Sequence, residues 1–115
     1  MRDEVVRVVE TYIDAVRRND APAAPLADDM VGIFPMSTFQ GAAAFRAGID
    51  PFARLAKSIH IAKMLADDEH CILLLEVESD FGTIAIAEHI HVVNGKIAFV
   101  RGYYDPRPIL AGMKH

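Results

Sequence analysis

The chain has 115 residues, 52% of them apolar, with a formal net charge of −4 and one cysteine, Cys71. That length carries a single hydrophobic core, so residues 1–115 are read as one domain. The acidic balance and scattered cations exclude a nucleic-acid surface, and the lone cysteine excludes an internal disulfide or a cysteine-based zinc site.

Asp3 to Arg18 reads as a helix, because Val5, Val9, Tyr12 and Val16 share one face while Arg7, Glu10 and Asp14 lie opposite. Asp3 is its expected N-cap, and Arg17-Arg18 suits the negative end of its dipole. Asp20 and Pro22 start a short second helix that reaches about Ala27. Met30 to Met36 is a short strand after Asp28-Asp29, which are read as helix-end and turn residues, and Ser37 to Gln40 is a loop. Ala42 to Ile49 is helical, and Asp50-Pro51 starts a further turn or two to Leu55. Ser58 to Ala66 and His70 to Ser79 are strands joined by the acidic turn Asp67-Asp68-Glu69. Thr83 to Val93 and Lys96 to Tyr104 flank Asn94-Gly95, a dipeptide that accepts the positive φ of a type I′ turn, so they form a hairpin. Proline at 106 and 108 ends the ladder.

Helices followed by consecutive strands indicate an α+β fold, with about three N-terminal helices packed in a strongly curved, mostly antiparallel sheet of five or so strands. Such a cone leaves a cavity between helices and sheet. The longest apolar run, Cys71 to Leu75, is too short to span a bilayer, and the N-terminus MRDEVVRVVE lacks a signal-peptide core. A soluble cytoplasmic protein without membrane contact is expected.

The most informative side chain is Glu88, a carboxyl group inside an apolar strand face formed with Ile84, Ile86, Ile90 and Val92. A buried acid must be paired, hydrogen-bonded or protonated. It either faces the cavity as a hydrogen-bond donor or general acid, or pairs with an arginine such as Arg46 or Arg54. His89 and His91 then point to the convex side, where an H-x-H pair either binds metal or, as expected here, packs at a subunit interface. His60, on a semi-apolar strand, is a candidate for moving a proton. In the strand before the hairpin, Leu73, Leu75 and Val77 make the better inward set, which leaves Glu76 and Glu78 outside. The outward set Ala85, Ala87, His89, His91, Phe99, Arg101 and Tyr103 is too apolar to face water alone, so a homodimer through it is expected.

The segments VVETYIDAVRRND, LADDMVGIFP, QGAAAF and NGKIAFVRGYYDP together resemble the NTF2-like superfamily, in its SnoaL-like and ketosteroid-isomerase-like branch. The resemblance covers nearly the whole chain. It implies a cone-shaped barrel, no cofactor and a small apolar ligand. Matching VVETYIDAV to the branch's first helix implies that Tyr12 stands at the oxyanion tyrosine. Matching AEHIHV implies that Glu88 stands at the protonated acid of the same oxyanion hole. Matching LADDMVGIFP puts Phe34 where those isomerases carry an aspartate base, so the usual proton shuttle is absent. Limonene-type epoxide hydrolases match poorly, since Val31, Ile33 and Gly102 fall on their polar positions.

The expected reactive set is Tyr12, Glu88 and His60. Met30, Phe34, Phe52, Met64 and Tyr104 are expected to line the cavity, and no metal ligands are expected. Isomerase, dehydratase or cyclase chemistry on an apolar cyclic metabolite fits this set. A non-catalytic binding or protein-interaction module fits it as well.

Overall fold

The computed structural model describes residues 1–113. Its elements in chain order are α1 (Arg2–Arg17), a 3-10 turn (Ala21–Ala23), β1 (Leu26–Phe34), β2 (Ser37–Gln40), α2 (Ala42–Leu55), β3 (Ala56–Ala66), β4 (His70–Ser79), β5 (Gly82–Val93), β6 (Lys96–Tyr103) and α3 (Arg107–Gly112). The six strands form one sheet in the order β2-β1-β6-β5-β4-β3. Only β1 and β6 run parallel; every other neighbour pair is antiparallel. No helix among the described residues is long and apolar enough to cross a membrane.

Alternation decides which side chains fill the core. Cys71, Leu73, Leu75 and Val77 of β4 and Ile84, Ile86, Ile90 and Val92 of β5 point inward and are buried. They meet the stripe Val5, Val9, Tyr12, Ile13 and Val16 of α1 and the buried Phe45 and Ile49 of α2. Irregular pairing within β3, between His91 and Val92, and between Leu26 and Val31 bends the sheet. Such bulges add local twist, which curls the long strands round the helices. At the β5–β6 turn Asn94 and Gly95 have φ of 51° and 76°, the backbone a type I′ turn requires.

Five local expectations are corrected. Ser37–Gln40 is an edge strand rather than a loop, with Phe39 registered on Gly32 of β1. α2 runs unbroken through Pro51, and the Asp50 carboxylate accepts from Asn19 and Arg54 at 2.8 Å each instead of starting a new helix. The second helix shrinks to one 3-10 turn and β1 begins at Leu26, so Asp28 and Asp29 are exposed strand residues. Beyond Pro106 the chain forms α3, where only a stop was expected. At α1 the N-cap is Met1, and Asp3 sits in the first turn.

Candidate functional site

Tyr12 occupies the buried stripe of α1, one turn from both Val9 and Val16. Glu88 occupies the inward register of β5, with Leu73 opposite on β4 and Gly102 opposite on β6. Both side chains are nearly sealed, Tyr12 at 4% exposed and Glu88 at 6%. The Tyr12 hydroxyl donates to Glu88 Oε1 at 3.2 Å. Neither arginine considered as a partner reaches that carboxyl. Arg46 donates to the carbonyls of Ala21 and Ala24, and Arg54 to Asp50. Glu88 therefore has a phenol partner and, among the described residues, no cation.

The electrostatics follow from burial. Desolvation pushes the Glu88 carboxyl up to about 7, against the downward pull of the Tyr12 hydrogen bond. Burial and then the charge of Glu88 push the Tyr12 phenol well above its ordinary range. Cys71, sealed behind the same strands, is pushed up to about 11 by burial and by Glu88. Near neutral pH Glu88 thus exchanges between a carboxylic acid that donates and a carboxylate that accepts. Replacing Tyr12 with Phe removes the bond that favours the charged form. The Glu88 titration is then expected to move above 7, read by carbon NMR of its carboxyl. An unmoved titration would show that the bond has no electrostatic effect.

The pair opens onto a cavity of about 440 Å³ between α1, α2 and the sheet. Its lining is mainly apolar, and the polar members are Tyr12, Glu88, Ser37 and Tyr104. No lysine, arginine or histidine lines it among the described residues. One wall is an aromatic cluster in which Phe34, Phe39 and Phe45 pack with ring centroids 5.5–6.0 Å apart, and Tyr12 lies 6.1 Å from Phe45. Phe34 lies over Gly102, where an added Cβ would overlap its ring. Burial pushes the Tyr104 phenol up, against a backbone hydrogen bond at Met36.

The expected lining residues divide. Phe34, Phe52 and Tyr104 line the cavity. Met30 is wholly buried in the packed core and does not line it. Met64 packs against the core from β3, also away from the cavity. His60 is corrected outright, because it is exposed on the outer side of β3, opposite Glu76. The cause is an irregularity between Ile61 and Lys63. Before it, Ile59 and Ile61 face inward against Val77 and Leu75; after it, Met64 faces inward against Leu73. His60 and Met64, four residues apart on one strand, therefore lie on opposite faces.

Several lining residues had not been assigned to the cavity. Phe39 belongs to the short β2, and Ile109 to α3. The usable signal for α3 was proline just inside a helix start, at Pro108. On the outer face Glu76 and Glu78 are exposed, and His89 and His91 are half-buried beside His70. His70 Nδ1 lies 2.9 Å from His89 Nε2, and the rings of His70 and His91 stack at 4.4 Å. No group of three His, Cys, Asp or Glu among the described residues is arranged to hold a metal ion.

No protein-family model and no curated protein sequence matches the chain. Solved structures do. A protein from Kribbella flavida DSM 17836 superposes with a TM-score of 0.87 at 25% identity, over 93% of this chain and 91% of that one. An NTF2-like protein of unknown function from Cytophaga hutchinsonii superposes at 0.79 with 24% identity, over 90% and 91%. The chain has the NTF2-like fold. A candidate ketosteroid isomerase, also from Kribbella flavida, shares this fold at a TM-score of 0.78 and 15% identity, over 90% of this chain and 79% of its own. Across NTF2-like proteins the fold is a scaffold whose activity depends on what lines the cone.

Proposed function

We propose that this chain is a small-molecule pocket protein of the SnoaL-like and ketosteroid-isomerase-like type, which receives a neutral, largely apolar and cyclic molecule bearing one oxygen acceptor. The observation that carries the reading is the Tyr12–Glu88 bond on the floor of an apolar cavity. A protonated Glu88 donates to the ligand oxygen, while the Tyr12 hydroxyl spends its one proton on Glu88 Oε1 and holds the carboxyl in place. Both groups act in a site largely screened from water, where a hydrogen bond to a developing oxyanion counts for more than in solvent. Isomerisation, dehydration or cyclisation each place such charge on an oxygen. The absence of any cation from the described lining speaks against carboxylate and phosphate ligands.

Phe34 favours a second reading, binding without turnover. It stands where the resemblance implies a base, and Glu88 is the one carboxyl group among the described lining residues. A proton lifted from carbon would need Glu88 to serve as base and oxyanion donor at once.

A thermal-shift screen of neutral cyclic ketones, lactones and alcohols at pH 6 and pH 8 tests the first reading. Stabilisation is expected at pH 6 and should weaken at pH 8, because Glu88 loses its proton near 7. Glu88→Gln keeps a donor and should retain binding, whereas Glu88→Leu should lose it. Stabilisation that Glu88→Leu leaves intact would remove Glu88 from the site. Mass analysis of each hit after incubation separates turnover from binding alone.

A further inference from the structure

The cavity sets one ionisable carboxyl beside a wall of aromatic rings. Tyr12, Phe34, Phe39, Phe45, Phe52 and Tyr104 all line it, and Phe34 lies over Gly102, the residue opposite Glu88 on β6. Aromatic rings attract cations through the negative charge of their faces, and more strongly where water is excluded. Of the two Glu88 oxygens, Oε1 accepts from Tyr12. Oε2 accepts no hydrogen bond from the described residues, and the carboxyl borders the cavity.

Nothing around the carboxyl supplies a counter-charge. The titratable groups near it are Tyr12 on α1, Cys71 on β4 and Tyr104 just past β6. Burial raises all three, so each is uncharged near neutral pH. The lining residues of α2, α3 and the other strands carry no ionisable side chain among the described residues. Once ionised, Glu88 is a lone negative charge in this lining, within a chain whose net charge of −4 also draws cations.

We propose that the cavity also takes an apolar organic ammonium ion, a protonated alicyclic amine whose N–H donates to Glu88 Oε2 while its alkyl body lies against the phenylalanine rings. The inference shares the cavity of the reading above but needs neither an oxygen acceptor on the ligand nor turnover. An ion pair away from water is favourable only when its other bonding groups are satisfied. Here Tyr12 meets Oε1 and the ammonium meets Oε2. The folded chain already holds the carboxyl out of water, so only the amine loses hydration on entry. Hydrogen bonds between two charged partners are also shorter and stronger than neutral ones. The acid form of Glu88 suits a neutral acceptor and the carboxylate suits an ammonium, so one proton selects between two ligand classes.

Quinuclidine and 1-adamantylamine, cage amines that stay protonated between pH 6 and pH 8, test the proposal by calorimetric titration of the full chain. Binding is expected to be about tenfold tighter at pH 8, because about a tenth of Glu88 is ionised at pH 6 and about nine tenths at pH 8. Saturating amine should pull the Glu88 carboxyl titration below its position in the free protein, read by carbon NMR. Glu88→Gln cannot ionise and should bind the amines at least about tenfold more weakly at pH 8, with a cooperative melt showing that it is folded. Absence of amine binding at pH 8, equal affinity at the two pH values, a carboxyl titration that stays or rises, or a variant that binds like wild type would each overturn it. Failure of the neutral-ligand reading is distinguishable, because that reading requires ketones, lactones or alcohols to bind more tightly at pH 6.

Discussion

Glu88→Gln is expected to make the protein more stable above pH 7, and to leave it nearly unchanged at pH 4. The sign follows from linkage. Burial raises the folded carboxyl from an ordinary 4.5 to about 7. Between those values the folded chain holds a proton that the unfolded chain has released, so wild-type stability falls as pH rises. The fall begins near 4.5, is complete just above 7, and over that shift amounts to on the order of 3 kcal/mol. A glutamine does not ionise and escapes it. Its amide occupies the same space and can still accept from Tyr12, so little is lost at low pH, where the wild-type acid is neutral in both states. Denaturant melts of both proteins across pH 4–9 should therefore diverge progressively and then run parallel. Curves parallel throughout would mean that Glu88 titrates as an ordinary surface acid. The same penalty explains why the residue points to function. A buried acid held only by a phenol, with no cation beside it among the described residues, costs stability at neutral pH that the proposed site would account for.

Much of this arrangement was legible from residue order, and the illegible parts share a cause. β4 is the clearest element, because Cys71, Leu73, Leu75 and Val77 alternate without interruption, and its observed bounds are those alternation predicts. The inward aim of Glu88 follows from the same period of two in β5, anchored by the Asn94-Gly95 turn. The failures are places where a local rule was overridden by tertiary pairing. A four-residue edge strand such as β2 is too short to show alternation, and its stability comes from β1. Pro51 reads as a helix start, yet α2 continues because Phe45, Ile49 and Phe52 all pack against the core. The irregularity in β3 changes which alternate residues face inward, and nothing in SIHIAKML marks it. One inserted residue therefore moved His60 from a supposed pocket to the outer face. The aromatic wall was the least legible part, since nothing in residue order separates phenylalanines that line the cavity, such as Phe39 and Phe45, from those that only fill the core.

Gly102→Ala should test whether Phe34 is a passive wall or the element that shapes the cavity. Gly102 points inward beside Glu88, and an alanine Cβ would overlap the edge of the Phe34 ring. The same arrangement recurs nearby: a Cβ at Gly32 would come within 2.7 Å of Phe45, and one at Gly48 within 2.6 Å of Phe39. Each ring of the cluster thus lies against a glycine, which lets three phenylalanines crowd one end of a small cone. Phe34 cannot retreat toward Phe39 and Phe45, which stand 6.0 Å away on the same side of it, 5.5 Å from each other. Its remaining course is a swing into the cavity, over Glu88. Overpacking of this kind typically costs about 1–3 kcal/mol. The variant is therefore expected to melt earlier and to lose ligand binding, although it touches neither Tyr12 nor the carboxyl. Adding Phe34→Leu should recover much of both losses, because the smaller side chain vacates the space the methyl needs. That rescue is a non-additive coupling which independent sites would not show. If Gly102→Ala melts and binds like wild type, the ring is free to move and the cavity is set by other groups. If the double variant is worse than either single one, Phe34 is needed for packing rather than for shape.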